Sequence, residues 1–165
     1  MFFDIIILSI SIFILLILSA FFSGSETALT ASTRSRLTGL NIKGKKNAQI
    51  AINLLNDKES LIGAILLGNN LVNILASSLA TSLLIKMFGD SGVAYAVLIM
   101  TVLIVIFAEI LPKSYAISNS EKMALTISPI IRPFVFFLSP ITWLMEKIVH
   151  GILTVSYTHL RAHET

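Results

Sequence analysis

The sequence predicts an all-α integral membrane domain with three transmembrane helices, a proline-broken juxtamembrane helix and short helices on the cytoplasmic side. Three observations carry that reading. Hydrophobic residues make up 55% of the 165 positions and charged residues 13%, against about 25% charged in an ordinary soluble domain. Apolar segments long enough to cross a bilayer, which takes about 20 residues, recur along the chain. Six of the 12 Lys and Arg residues gather in one loop between two of those segments. A composition this apolar speaks against a soluble enzyme domain, a nucleic-acid module and a disordered tail. The pI near 9.3 is no nucleic-acid signal, because the placement of the basic residues decides that. No cysteine is present, which excludes a disulfide framework, a thiolate metal site and a cysteine nucleophile.

The first span covers 5–22, interrupted only by serines. A cleaved leader would begin with positive charge. Here Asp4 is the only early charge and no Lys or Arg precedes Arg34, so the segment reads as a retained helix. The second span, 61–87, carries Asn69, Asn70 and Asn73 among small residues. The third, 93–111, is free of charge until Glu109. Between the second and third lies a tight turn at 88–92. The segment 24–60 holds Arg34, Arg36, Lys43, Lys45, Lys46 and Lys58. Lys/Arg excess marks cytoplasmic loops, which puts the N-terminus outside and everything after Leu111 inside, as in a multi-pass plasma (inner) membrane protein. Within the basic loop, 27–40 is rich in helix formers and 46–56 reads as a short amphipathic helix, with Gly39 and Gly44 as punctuation. Its basic residues are suited to contact anionic lipid.

The stretch 127–149 is apolar but contains Pro129, Pro133, Pro140 and Arg132. A regular span would place Arg132 in hydrocarbon, at about 2.5–3.5 kcal/mol near the centre. The prolines would interrupt its hydrogen-bond ladder. The expectation is a broken helix along the inner interface, or partly re-entrant, with a fourth crossing as the alternative. Residues 155–165 are polar and read as an unstructured tail of non-native character. His159 and His163, four apart, only imitate a metal pair on a helix. The domain proper is therefore placed at 1–150, with 151–165 as tail.

Three polar clusters interrupt the apolar spans, where polar groups need partners or a function. Ser19 and Ser23 are four apart and share a helix face; the plain alternative is back-bonding or small-residue packing. Asn69 and Asn73 repeat that spacing, with Ser77 and Thr81 continuing the stripe; interhelical packing is the alternative. Glu109 is the only acid deep in a span. Pro112 withdraws the donor from the Ala108 carbonyl, so the helix is expected to bulge or end there. The alternative is a Glu109–Lys113 ion pair along the helix. Hydroxyls, amide carbonyls, one carboxylate and a freed backbone carbonyl are all oxygen. No histidine occurs before His150. Zinc and copper favour sulfur and imidazole, whereas an all-oxygen set suits Mg²⁺, Ca²⁺ or Na⁺. A single carboxylate half-compensates a divalent ion, which suits release as well as binding. Irregular backbone at membrane depth is tolerated where it lines a cavity.

Phe22-Ser23-Gly24-Ser25-Glu26-Thr27-Ala28, Leu67-Gly68-Asn69-Asn70-Leu71-Val72-Asn73 and Ala108-Glu109-Ile110-Leu111-Pro112-Lys113 resemble the three signatures of the CNNM/CorC transmembrane domain. That family comprises magnesium and cobalt efflux-type transporters, some described as haemolysin-like. The resemblance implies a homodimer, three membrane helices per subunit, an inner juxtamembrane belt, and Mg²⁺ as the transported ion. By position, Ser19, Ser23, Asn69, Asn73 and Glu109 would supply its ligands. Family members usually continue into a paired CBS nucleotide-binding module, so ATP would act only through a cytoplasmic part absent from this sequence. Transport of divalent cations, with Na⁺ as a candidate coupling ion, is the reading. A non-transporting membrane metal sensor or scaffold is the alternative. An enzyme is not expected, because no nucleophile-and-base constellation surrounds Glu109 and Lys113. No P-loop pattern occurs, and the expected partners are the lipid bilayer and a second copy, with no nucleic acid.

Overall fold

The computed structural model describes the backbone of residues 2–161. Its elements in chain order are α1 (Phe2–Ala31), α2 (Arg34–Ile42), α3 (Ala48–Asn56), α4 (Lys58–Phe88), a 3₁₀ turn (Gly89–Ser91), α5 (Gly92–Leu103), a π-helical segment (Ile104–Ile110), α6 (Leu111–Ser118) and α7 (Ser120–Arg161). The described residues contain no strand. Three helical runs are long and apolar enough to cross a membrane: Phe3–Ala31, Lys58–Ser118 and Ser120–Ile152. The second folds back at Gly89, whose φ of 63° lies in the region glycine enters without a Cβ clash. It thus supplies two antiparallel passes, α4 and the continuous helix α5–π–α6. Gly92 permits the reversal: a Cβ there would collide with the Leu84 carbonyl oxygen.

The large apolar side chains of α1 and α5 face outward, with Phe13 64%, Leu98 67% and Val97 60% exposed. On a soluble protein so much apolar surface would be an anomaly; around a membrane bundle it is the lipid-facing side. Two contacts fix the helix register. Ser19 meets Asn69, and Ile12 clusters with Ala76. Seven residues separate the two positions on each helix, in opposite senses, so α1 and α4 are antiparallel. Gly24 lies against Pro112, and Ile12 clusters with Met100. Twelve residues separate those positions on each helix, so the third pass runs parallel to α1.

At the basic end, Asp57 caps α4 by accepting the Ser60 N–H at 3.1 Å, the usual relief for an orphan donor. The buried face of α3 (Ala51, Ile52, Leu54, Leu55) joins Ala28 and Leu29 of α1 with Ile127 and Ile131 of α7 in one core. The short helices expected in the loop are present, and α1 extends past the expected span end through Ala31.

The expectation of a broken helix at 127–149 is corrected. α7 is one helix of 42 residues with Pro129, Pro133 and Pro140 inside it. The three prolines are four and seven apart, so they share a face, and all three are exposed. The carbonyls they strip therefore fall away from the core rather than inside it. A helix can also curve around a core with its outer side strained. One stripped carbonyl is re-satisfied directly: Leu125, four residues before Pro129, accepts a hydrogen bond from Asn47 Nδ2 at 3.1 Å. We expect Asn47→Gly, which keeps the left-handed backbone (φ 68°) but removes the donor, to destabilise by about 1–3 kcal/mol. Pro129→Ala returns an N–H to Leu125 and should absorb most of that loss. Thermal unfolding of both single variants and the double variant reads the coupling; simply additive effects would separate Asn47 from the proline.

The contacts of α7 with Phe22, Ser60 and Gly63 lie at the basic end. Phe134 packs edge-on against Phe22 in the last third of α1, centroids 5.6 Å apart. Thr142 lies 3.4 Å from the Ser60 hydroxyl and against Gly63, both in the first turns of α4. The helix therefore lies across the end of the bundle rather than alongside it, although its length and composition would suffice for a crossing. Residues 155–161 continue α7, where the sequence reading expects an unstructured tail. Residues 162–165, His163 among them, lie outside the described residues, as does the His159 side chain.

Candidate metal site

Ser19 sits on the buried face of α1 and donates its hydroxyl to Asn69 Oδ1 of α4 at 2.9 Å. Ser19 is 0% and Asn69 9% exposed. One turn further along α1, Ser23 is also fully buried, and its Oγ has no hydrogen-bond partner. Its neighbours behave differently: Ser25 and Thr27 hydroxyls donate to the backbone carbonyls four residues back, the common solution for hydroxyls in apolar helices. Buried polar atoms are rarely left unpaired, and each exception needs a reason. Asn73 Oδ1 is the second such atom.

The third pass brings Glu109 to the same level. Pro112 stands beside Gly24, so Glu109, three residues earlier on a parallel helix, falls level with Phe21. It lies about 3 Å along the axis from both Ser19 and Ser23, at about 1.5 Å rise per residue. It is half-buried beside the fully buried Ala108. Among the described residues no hydrogen bond or ion pair is formed by Glu109, Lys113 included. The helical ion pair is thus not its explanation. Ser19, Ser23, Asn69 and Glu109 share one axial band, whereas Asn73 lies about one turn, 6 Å, toward the N-terminal end of α1. From there the α4 stripe continues to a largely apolar cavity of about 340 Å³, where Ser77, Thr81 and Thr101 lie among Val97, Met100 and Ile104.

The expected bulge at Glu109 takes a definite form. Residues Ile104–Ile110 are π-helical, and the Leu111 N–H reaches back five residues to Ile106. The Phe107 carbonyl would then need the N–H of residue 112, which is proline. The Ala108 carbonyl would need the same N–H in α-register. Pro112 therefore leaves at least one of these two oxygens without a backbone donor. Single π-turns inside α-helices cluster at functional sites.

One oxygen pair, Ser19 and Asn69, has the spacing that adjacent ligands of a small hard cation require. Mg²⁺ holds oxygens at about 2.0–2.1 Å in an octahedron, so adjacent corners lie about 2.9 Å apart. The Ser19 Oγ and Asn69 Oδ1 separation is 2.9 Å. Both atoms could take adjacent corners without moving, once the serine proton turns away. No group of three or more His, Cys, Asp or Glu forms among the described residues, so hydroxyl, amide and carbonyl oxygens dominate this layer.

Two packing residues escape a search for ligands. Gly68, just before Asn69, accepts the Phe22 ring: a Cβ there would lie 3.0 Å from the ring. Gly24, just after Ser23, makes room for the Met123 side chain of α7, 2.7 Å from where a Cβ would stand, and sits in ordinary contact with Pro112. Each glycine lets one helix approach another beside a ligand candidate. The signal in the sequence is the small residue adjoining each polar one.

A helical bundle with lipid-facing apolar walls, a buried oxygen layer and a π-turn at Glu109 defines a polytopic membrane protein. Residues 10–164 match the family model described as CNNM, the Cyclin M transmembrane N-terminal domain. The chain belongs to that family. It is 39% identical over 136 residues to the UPF0053 inner membrane protein YfjD of Escherichia coli, covering 82% of this chain and 32% of that protein. A UPF0053 protein of Haemophilus influenzae is 38% identical over 148 residues, 90% of this chain and 35% of its own length. A chloroplastic DUF21 domain-containing protein of Arabidopsis thaliana is 33% identical over 142 residues, 86% and 22% respectively. The chain spans about a third or less of the length of these relatives.

Proposed function

We propose that this domain carries divalent cations across the membrane, with Mg²⁺ as the favoured ion. Ser19, Ser23, Asn69, Glu109 and a carbonyl freed by Pro112 are its first ligands, and Asn73 takes the ion one turn further along the path. The observation that supports this most is the fully buried Ser23 Oγ with no partner, level with an unpaired carboxylate. Structural packing gives no reason for either. The Lys/Arg excess of the 24–60 loop orients the N-terminus outside and α7 inside. A plasma or inner membrane setting is supported by that orientation and by the similarity to an inner membrane protein of Escherichia coli. The working unit is a homodimer, and any ATP control enters through sequence beyond this domain.

The direction is export. An inside-negative potential opposes it by about 4.6 kcal/mol for a divalent ion, twice about 2.3 kcal/mol per charge per 100 mV. An opposed Na⁺ gradient is the natural driving force in a domain without an ATP-hydrolysis motif. The test is Mg²⁺ flux in proteoliposomes with an internal Mg²⁺ indicator. Saturable flux accelerated by an opposed Na⁺ gradient is expected. Mg²⁺ binding with no flux under any gradient would replace transport by metal sensing, and absence of both would end the cation reading.

A further inference from the structure

Between Glu26 and Asp57 the chain has no acidic residue, yet it carries Arg34, Arg36, Lys43, Lys45 and Lys46. Arg36 is engaged with Glu121 at 3.1 Å. The three lysines have no ion-pair partner among the described residues. They cluster at the turn that joins α2 to α3, beside Ile42, which is 82% exposed. The turn is held in one shape. Gly44 and Asn47 both take positive φ, 70° and 68°. The Gly44 and Lys45 N–H groups donate to Asn41 and Leu40 carbonyls at 2.9 and 3.0 Å. Asn41 Nδ2 donates to Gln49 Oε1 at 2.8 Å, and Asn47 ties the turn to Leu125 of α7. A fixed turn that exposes an isoleucine between cations has no use for either in water.

The turn also sits where a bilayer surface must be. α7 lies across the end of the bundle, and Leu125 is seven residues past Ser118, the end of the third pass. The flank of α7 bearing Ile130, Phe134, Phe137, Ile141 and Ile148 is exposed and apolar, as a helix at the hydrocarbon boundary requires. We propose that the Ile42–Lys46 turn is a membrane-surface anchor: Ile42 enters the headgroup region, and Lys43, Lys45 and Lys46 engage the phosphates of anionic phospholipids. This proposal is independent of what crosses the bundle. Charge near an anionic leaflet is worth roughly five-fold in affinity per lysine, so on the order of a hundred-fold for three, and salt screens it.

The absence of native cysteine gives a clean test. Ile42→Cys is labelled with an environment-sensitive fluorophore and reconstituted in phosphatidylcholine vesicles with and without phosphatidylglycerol. The expected result is a blue-shifted emission in the anionic vesicles that reverts at high salt. It should be lost when Lys43→Gln, Lys45→Gln and Lys46→Gln are added. All three lysines are exposed, so the combined variant should melt like its parent, and that is checked alongside. The same emission in both lipids, or a shift that survives the triple replacement, would overturn the anchor. A shift that appears only with an added acidic protein would assign the turn to that partner instead and equally overturn it.

Discussion

Glu109→Gln should abolish the Mg²⁺-dependent rise in thermal stability while leaving the ion-free protein at least as stable as the parent. Glutamine keeps the shape of the side chain and removes its charge. In the ion-free state Glu109 has no hydrogen-bond or ion-pair partner among the described residues. A carboxylate at membrane depth without one is a burden of a few kcal/mol, about 2.5–3.5 for an aspartate at the centre of a span. Neutralising it relieves that burden. With Mg²⁺ present the sign reverses. A ligand held only by the native state adds about 2.7 kcal/mol at a concentration one hundred times its Kd. Among the described residues the layer contains no second carboxylate to sustain a dehydrated divalent ion. Detergent-solubilised protein melted over a Mg²⁺ series reads both effects. A variant that rises as the parent does would remove Glu109 from the ligand set. A variant that is also less stable without Mg²⁺ would make it a structural residue.

Much of the fold was legible because membrane helices are specified by length and polarity. The spans, the tight turn at Gly89 and the amphipathic α3 all follow from runs of apolar residues and their interruptions. The proline-rich segment was misread for an identifiable reason. Counting prolines says how many hydrogen bonds are lost, but not which way the stripped carbonyls face. Pro129, Pro133 and Pro140 share one exposed face, and Asn47, 78 residues upstream of Leu125, supplies the donor that Pro129 withholds from Leu125. That compensation is tertiary and has no local signature. The same holds for the site. Pro112 announced a disturbance near Glu109, and the π-turn is its form. Spacing placed Ser19 with Ser23 and Asn69 with Asn73 on common faces. Only the antiparallel register of α1 and α4 shows that the two pairs spread in opposite directions from the Ser19–Asn69 contact. Glu109 therefore shares an axial band with both serines and Asn69, while Asn73 stands one turn away.

Ser23→Ala separates packing from ion binding, because the first is read without Mg²⁺ and the second only in the response to Mg²⁺. If Ser23 is a packing residue, alanine loses nothing, since the hydroxyl bonds to nothing in the structure. An unsatisfied buried polar group costs about 1–3 kcal/mol, so its removal should raise the stability of the ion-free protein. The position is fully buried, but the change deletes one small atom and leaves the close approach of Gly24 to Pro112 intact. If Ser23 is a ligand, the same variant should lose much of its Mg²⁺ response, because one octahedral corner must then be filled by water or left open. We expect both at once: a higher melting temperature without Mg²⁺ and a flattened Mg²⁺ dependence. Ser25→Ala is the matched control. Its hydroxyl is equally buried but satisfied by the Phe21 carbonyl at 2.6 Å, so its loss should leave the Mg²⁺ response unchanged. Equal Mg²⁺ responses from the parent and both variants would confine Ser23 to packing and remove it from the ligand set.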